Sequence, residues 1–169
     1  NRSRNYRSSY FYYDFINKVL SNHVCFVKYE PITDWSLNDE RYLCFYEYIE
    51  SHKDIKSVFL TDLFDVTFVK NPFALITDEY KVYVGIDGPK RTVENANYVK
   101  RKMMNAYSKI FHRDKLCLSA GVVGGKRKYI LTLLNVMIED FRKCNSKENV
   151  NMGVFNRRMY DIYNETMLA

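Results

Sequence analysis

The sequence lacks most of the patterns that announce a common chemistry. Its four cysteines, Cys25, Cys44, Cys117 and Cys144, lie far apart and form no CxxC pair, which argues against a structural zinc site. Thiols so spread fit either a fully reduced set or one or two bridges in a secretory lumen. The three histidines, His23, His52 and His112, are isolated. With no nucleophile-elbow motif beside them, they read as ordinary surface or half-buried residues rather than as parts of a hydrolase triad. There is no Walker-type glycine loop and no GxGxxG. No run approaches the roughly 18 apolar residues that span a membrane. The opening, Asn1 to Tyr6, is polar, lacks an initiator Met and is not a signal peptide. Internal repeats, low-complexity tracts and linkers are also missing. The expectation is one domain over residues 1–169, truncated at its N-terminus.

What is present supports a folded globule. The chain has 169 residues, 47% of them hydrophobic, enough to bury a core without staples. Fifteen Tyr and eleven Phe suit half-buried faces and pocket walls, since Tyr couples apolar area to a polar tip. Net charge is +6, from 26 Lys and Arg against 20 Asp and Glu. The basic residues are scattered, the densest cluster being Lys126, Arg127 and Lys128. A basic surface can meet nucleic acid, or a smaller polyanion such as a sugar nucleotide, or only solvent.

Periodicity predicts helices over 10–20, 39–52, 95–107, 126–144 and 149–167. In the fourth, Ile130, Leu133, Leu134, Met137, Ile138 and Phe141 recur at steps of three and four. Ser36 to Asp39 matches a capping pattern ahead of the second helix. Extended runs are predicted at 24–29, 56–60, 66–69, 81–86 and 116–125, with Asn71-Pro72 as a turn. Strands alternating with helices predict a layered α/β fold whose central sheet is mostly parallel.

Three segments carry the candidate chemistry. The run Ser57 to Phe73 is an apolar strand followed by Asp62 and Asp65. Ligands of open α/β sheets sit beyond the carboxyl ends of strands. Carboxylates there suit Mg2+ or Mn2+, which take one or two protein carboxylates and otherwise water and phosphate. Both Asp residues read equally well as turn formers or caps. The run Ser119 to Gly125, SAGVVGG, allows close approach of backbone to a ligand, or simply a tight strand-to-helix connection. The run Val150 to Asn156, VNMGVFN, offers Asn151 as a helix N-cap, or Asn151 and Asn156 as amides for a sugar.

In this order the three segments resemble glycosyltransferases of the GT-A fold, over about residues 38 to 163. Thr61-Asp62-Leu63-Phe64-Asp65-Val66 resembles the acidic DxD-type motif, with Phe68 and Asn71-Pro72-Phe73 as its continuation. Ser119-Ala120-Gly121 resembles the segment lining the sugar site, and Asn151 through Asn156 resembles a later sugar-contacting segment. The resemblance implies that Asp65 and Asp62 bind the metal, Mn2+ or Mg2+. It further implies that Asp62, Ser119, Ala120, Gly121, Asn151 and Asn156 line the donor site. The implied partners are a UDP- or GDP-sugar and a glycan, protein or lipid acceptor, with nucleic acid disfavoured. An inverting reaction needs a carboxylate base, for which Asp87 and Asp140 are the candidates. Lys126 or Arg127 would assist the leaving diphosphate.

The departures are specific. The acidic pair is spaced i and i+3 rather than i and i+2. Ser119 stands where the family usually has Asn, and Asn151 where it usually has Asp. No His follows His112, and the family's opening strand is not evident before Asn1. A non-catalytic sugar-nucleotide-binding or scaffold domain, and a basic nucleic-acid-binding domain, therefore stand as alternatives. The resemblance places a full-length eukaryotic protein in the secretory pathway and any other in the cytoplasm.

Overall fold

The computed structural model describes residues 27–62, 66–144 and 147–169. The chain divides into two compact units, Asn1–Glu30 and Pro31–Ala169. The helix expected at 10–20, most of the run expected at 24–29, and Asp65 lie outside the described residues.

In the second unit the chain runs α1 (Leu37–Ser51), β1 (Ser57–Thr61), a 3-10 turn (Pro72–Leu75), β2 (Val82–Ile86), α2 (Asn97–Tyr107), β3 (Leu118–Lys126), α3 (Arg127–Cys144), α4 (Asn151–Tyr163) and β4 (Met167–Leu168). Ser36 caps α1 as its sequence foretells, its side chain accepting from Asp39 N at 3.3 Å. The residues of α3 predicted to share one face are all buried. Among the described residues the run expected at 66–69 pairs with no strand, and Met167, expected to end the last helix, opens β4 instead.

The fold is α/β, a four-stranded sheet of order β1-β3-β2-β4 with helices packed on it. The expected mostly parallel sheet needs correction. β3 runs antiparallel to both β1 and β2, and only the short β2–β4 pair is parallel. Alternation predicts parallel strands only if the helix carries the chain back to the starting end of the sheet. Here α2 ends at Ser108 in the left-handed region, φ 53°, and the following segment returns alongside the way out. Val93 N donates to Lys115 O at 2.9 Å, Glu94 N to Arg113 O at 2.9 Å, and Cys117 N to Arg91 O at 2.7 Å. The chain re-enters the sheet at the end it left, so β3 must oppose β2.

Strand alternation separates the two faces. Leu60, Val123 and Val84 are paired across the sheet and join the core with Tyr42, Ile130, Leu134, Phe141, Phe155 and Met159. Each such buried side chain contributes roughly 1.5–3 kcal/mol. Phe59, Gly124 and Tyr83 form the neighbouring row. The Phe59 ring lies across Gly124 so closely that a Cβ there would sit 2.2 Å from it. That second face meets the 66–75 segment, with Phe68 and Phe73 edge-on to Phe59.

Long-range polar contacts lock the helices. Asp39, pointing out of the first turn of α1, takes the backbone N–H groups of Val150 (3.1 Å) and Asn151 (2.8 Å). It thereby caps α4 from another helix. Glu40 receives Ile32 N at 2.6 Å and Thr33 N at 3.0 Å. Arg127 holds the last carbonyls of α1, with Nη2 donating to Ile49 O at 3.0 Å and to Glu50 O at 3.2 Å. Helices α2 and α4 approach closely at Gly153, where a Cβ would meet Met103 N at 2.5 Å.

Candidate functional site

The strand ends bring two of the three sequence segments together. Directly after β1, Asp62 N donates to Gly121 O at 2.9 Å. The pairing of β2 with β3 slips at this point, Val84 facing Val123 and Gly85 facing Ser119. Ala120, Gly121 and Val122 thus bulge with no counterpart on β2. Bulges of this kind re-aim backbone and side chains, and gather beside active sites. The Asp62 carboxylate lies over Gly121, its Oδ2 just 2.6 Å from where a Cβ would stand. The position therefore requires the smallest residue for a local reason, close approach. Ser119 Oγ accepts from Gly121 N at 3.3 Å.

Helix α4 reaches the same place. Ala120 N donates to Met152 Sδ at 3.4 Å, and Tyr42 OH donates to Ala120 O at 3.4 Å. From α1, Arg41 Nη1 donates to Asp62 Oδ1, and the Arg41 guanidinium also lies 5.1 Å from the Tyr42 ring centre. The Asp62 side chain remains 35% exposed, and its Oδ2 accepts no hydrogen bond from the described residues. Half-exposed, neighbouring a cation and lying over a bulge, Asp62 can still accept a further cation or a ligand hydroxyl.

No protein-family model matches the chain, and no curated protein matches its sequence. The site must be read from its own residues.

The remaining sequence candidates fall elsewhere or are already occupied. Asn151 is not the N-cap of α4. Val150 is, without a side-chain bond of its own, and Asp39 supplies the capping acceptor. The Asn151 amide donates to Asn38 O at 3.1 Å. Asn156 is fully buried. It accepts from Leu118 N at 2.8 Å and donates to Leu118 O and Met152 O, both at 2.9 Å. Its amide thus replaces the strand partner that Leu118 would otherwise need.

Asp87 follows β2 and receives Tyr98 OH, with Arg91 Nη1 at 2.9 Å. The Tyr98 hydrogen bond holds its carboxyl below the usual range, with Arg91 adding to this against partial burial. Asp140 belongs to a separate cluster among α2, α3 and α4. Arg158 grips it with Nε and Nη2, both at 2.6 Å, and Tyr107 OH donates to it as well. Burial alone would raise the Asp140 carboxyl, but the Arg158 and Tyr107 bonds outweigh it and keep it low. Carboxylates held below their ordinary range are poor proton acceptors near neutrality. Lys126 and Arg127 sit at the other end of the pairing, where Ser57 faces Lys126. Lys126 pairs there with Asp78, and neither residue is placed to assist at Asp62.

Sequence reasoning missed Arg41, Tyr42 and Met152. Tyr42 and Met152 lie in predicted helices, where Tyr42, Leu43, Tyr46 and Ile49, and Met152, Phe155, Met159 and Ile162, recur at helical spacing. Arg41 carried no signal beyond its place in the first turns of a helix that precedes the strand. Among the described residues no group of three His, Cys, Asp or Glu side chains gathers to hold a metal. No helix among them is long and apolar enough to cross a membrane.

Proposed function

We propose that the chain binds a nucleotide diphosphate sugar at the carboxyl end of β1 and transfers the sugar to a hydroxyl of a glycan, protein or lipid acceptor. One observation carries the reading. Asp62, Ser119 with the bulge that follows it at Ala120–Val122, and the start of α4, which are far apart in sequence, meet at one half-open place at a strand end. Arg41 adds a fixed positive charge there.

In this reading the Ser119 hydroxyl, which accepts from Gly121 N and keeps its own proton to donate, orients a sugar hydroxyl by hydrogen bonding. Arg41 anchors Asp62 through Oδ1, and Oδ2, lying over Gly121, receives no donor from the described residues. Mg2+ and Mn2+ need only one or two protein carboxylates, and the sequence resemblance offers Asp62 and Asp65 for them, of which Asp62 is the one among the described residues. Bound there, the cation would neutralise charge developing on the leaving diphosphate. The acceptor oxygen forms the new bond to the anomeric carbon as the bond to the diphosphate breaks, and the hydroxyl proton leaves to a base. Neither Asp87 nor Asp140 fits that last task.

That misfit favours a second reading, a domain that binds the sugar nucleotide without turning it over. Calorimetric titration of UDP and GDP, with and without Mn2+, on the wild type and Asp65→Ala tests both. Manganese-dependent binding lost in the variant is the expected result, and turnover of a bound sugar nucleotide then separates enzyme from binder. Binding that ignores Mn2+ and weakens steeply with salt would instead indicate nucleic-acid-like electrostatics and remove the proposal.

A further inference from the structure

A cavity of about 220 Å3 opens among α2, α3 and α4. Tyr107, Asp140, Lys143, Arg157 and Arg158 line it. Three cations therefore face one carboxylate, and that carboxylate is spent. Asp140 is 3% exposed in its side chain, and its two oxygens are taken by Arg158 and Tyr107. Arg157 is held mainly by aromatic rings. Its guanidinium carbon lies 4.2 Å from the ring centres of both Tyr107 and Phe111, and its Nε donates to Asp161 Oδ2 at 3.3 Å. Among the described residues its two terminal nitrogens donate to no acceptor. Cation–π contact with two rings holds a guanidinium in place without consuming its outer donors.

The other carboxylates of the neighbourhood do not line the cavity. Asp161 is engaged with Arg157, with Arg158 Nη1 at 3.5 Å and with His112 Nε2 at 2.8 Å. Glu139 lies 3.9 Å from Lys143 along α3, a solvent-exposed contact of little strength. Lys143 is 70% exposed in its side chain and free to swing over the opening.

We propose that this cavity binds a compact phosphate group, with Arg157 as the fixed donor, Lys143 as the closing cation and Arg158 held in place by Asp140. The space suits one phosphate and not a whole nucleotide, so the ligand is inorganic phosphate or the phosphate of a small monoester. The proposal is independent of the strand-end reading, and its test uses neither nucleotide nor metal.

The test titrates inorganic phosphate and phenyl phosphate into the full chain, followed by backbone amide chemical shifts. Sodium chloride at matched ionic strength serves as reference. Saturable shifts confined to residues of α2, α3 and α4 around the cavity are expected. Arg157→Gln should weaken binding about tenfold and Lys143→Gln about threefold, as expected for lost charge-assisted contacts. Lys56→Gln, on an exposed residue elsewhere, should leave binding unchanged. Tighter binding of the ester assigns a phosphorylated small molecule, and tighter binding of free phosphate assigns the inorganic anion. If Arg157→Gln fails to fold, the exposed Lys143→Gln decides alone. Non-saturating shifts, shifts reproduced by chloride, or equal weakening in Lys56→Gln and Lys143→Gln would overturn the proposal.

Discussion

Asp62 and Asp140 are carboxylates of one chain in opposite circumstances. Each has an arginine partner, Arg41 for Asp62 and Arg158 for Asp140. Asp140 is almost fully enclosed and gives both oxygens to protein donors. Asp62 is about one-third exposed, 35% by side chain, and gives only one. A carboxylate whose acceptor sites are all met by its own protein holds helices together. One with an oxygen left over, at a strand end beside a bulge, can serve a ligand. The residue types are identical in the two places, so the number of unspent lone pairs separates support from site.

The comparison can be broken most severely on the helix side. Gly153→Ala would press a methyl onto the backbone of Met103 and Lys102, where no side chain can yield. A loss of about 3 kcal/mol or more is expected, read as a lowered urea midpoint, with the strand-end site affected only through unfolding. Asp140→Asn comes next, at roughly 2–3 kcal/mol, because it leaves Arg158 only its longer, 3.5 Å contact with Asp161. Its pH dependence has a definite sign. The Asp140 carboxyl titrates below its ordinary value of 3.8 when folded. Its contribution is present above that value and lost as pH falls through the lower, folded one. The stability gap between wild type and Asp140→Asn should therefore close on acidification. A gap that widens in acid would contradict the pairing.

The strand side should respond in the reverse manner. Gly121→Ala pushes on the far end of the Asp62 side chain rather than on backbone, so a cost of about 1 kcal/mol is expected. The carboxylate is nonetheless displaced, and nucleotide affinity should fall about tenfold. Asp62→Asn should change stability least, within about 1 kcal/mol, while removing manganese-dependent binding.

Much of the helical structure was legible in the sequence. The three-and-four spacing from Ile130 to Phe141 and the Ser36 cap are local patterns, and local patterns survive folding. Sheet direction was not legible, because alternation of strands and helices does not say whether the chain returns by the helix or beside it. The left-handed turn at Ser108 decided this, and a serine announces no such turn. The strand-end site was half legible. Asp62 and Ser119–Gly121 stood out as an acidic strand end and a small-residue run. Arg41 looked like any solvated helix residue. Asn156 lies between Phe155 and Met159 on an apolar helix face, and its buried amide serves the backbone of Leu118 and Met152. Asp39 is joined to Val150 across more than a hundred residues, |i−j| = 111, a link that no window of sequence contains.

The most direct measurement pairs two variants, Asp62→Asn and Asp140→Asn, and reads thermal midpoint and manganese-dependent UDP or GDP affinity on the same samples. The account predicts a crossed result: Asp62→Asn keeps its midpoint and loses the nucleotide, and Asp140→Asn loses its midpoint and keeps the nucleotide while folded. Equal losses of both properties in the two variants, or no metal-dependent nucleotide binding by the wild type, would contradict it.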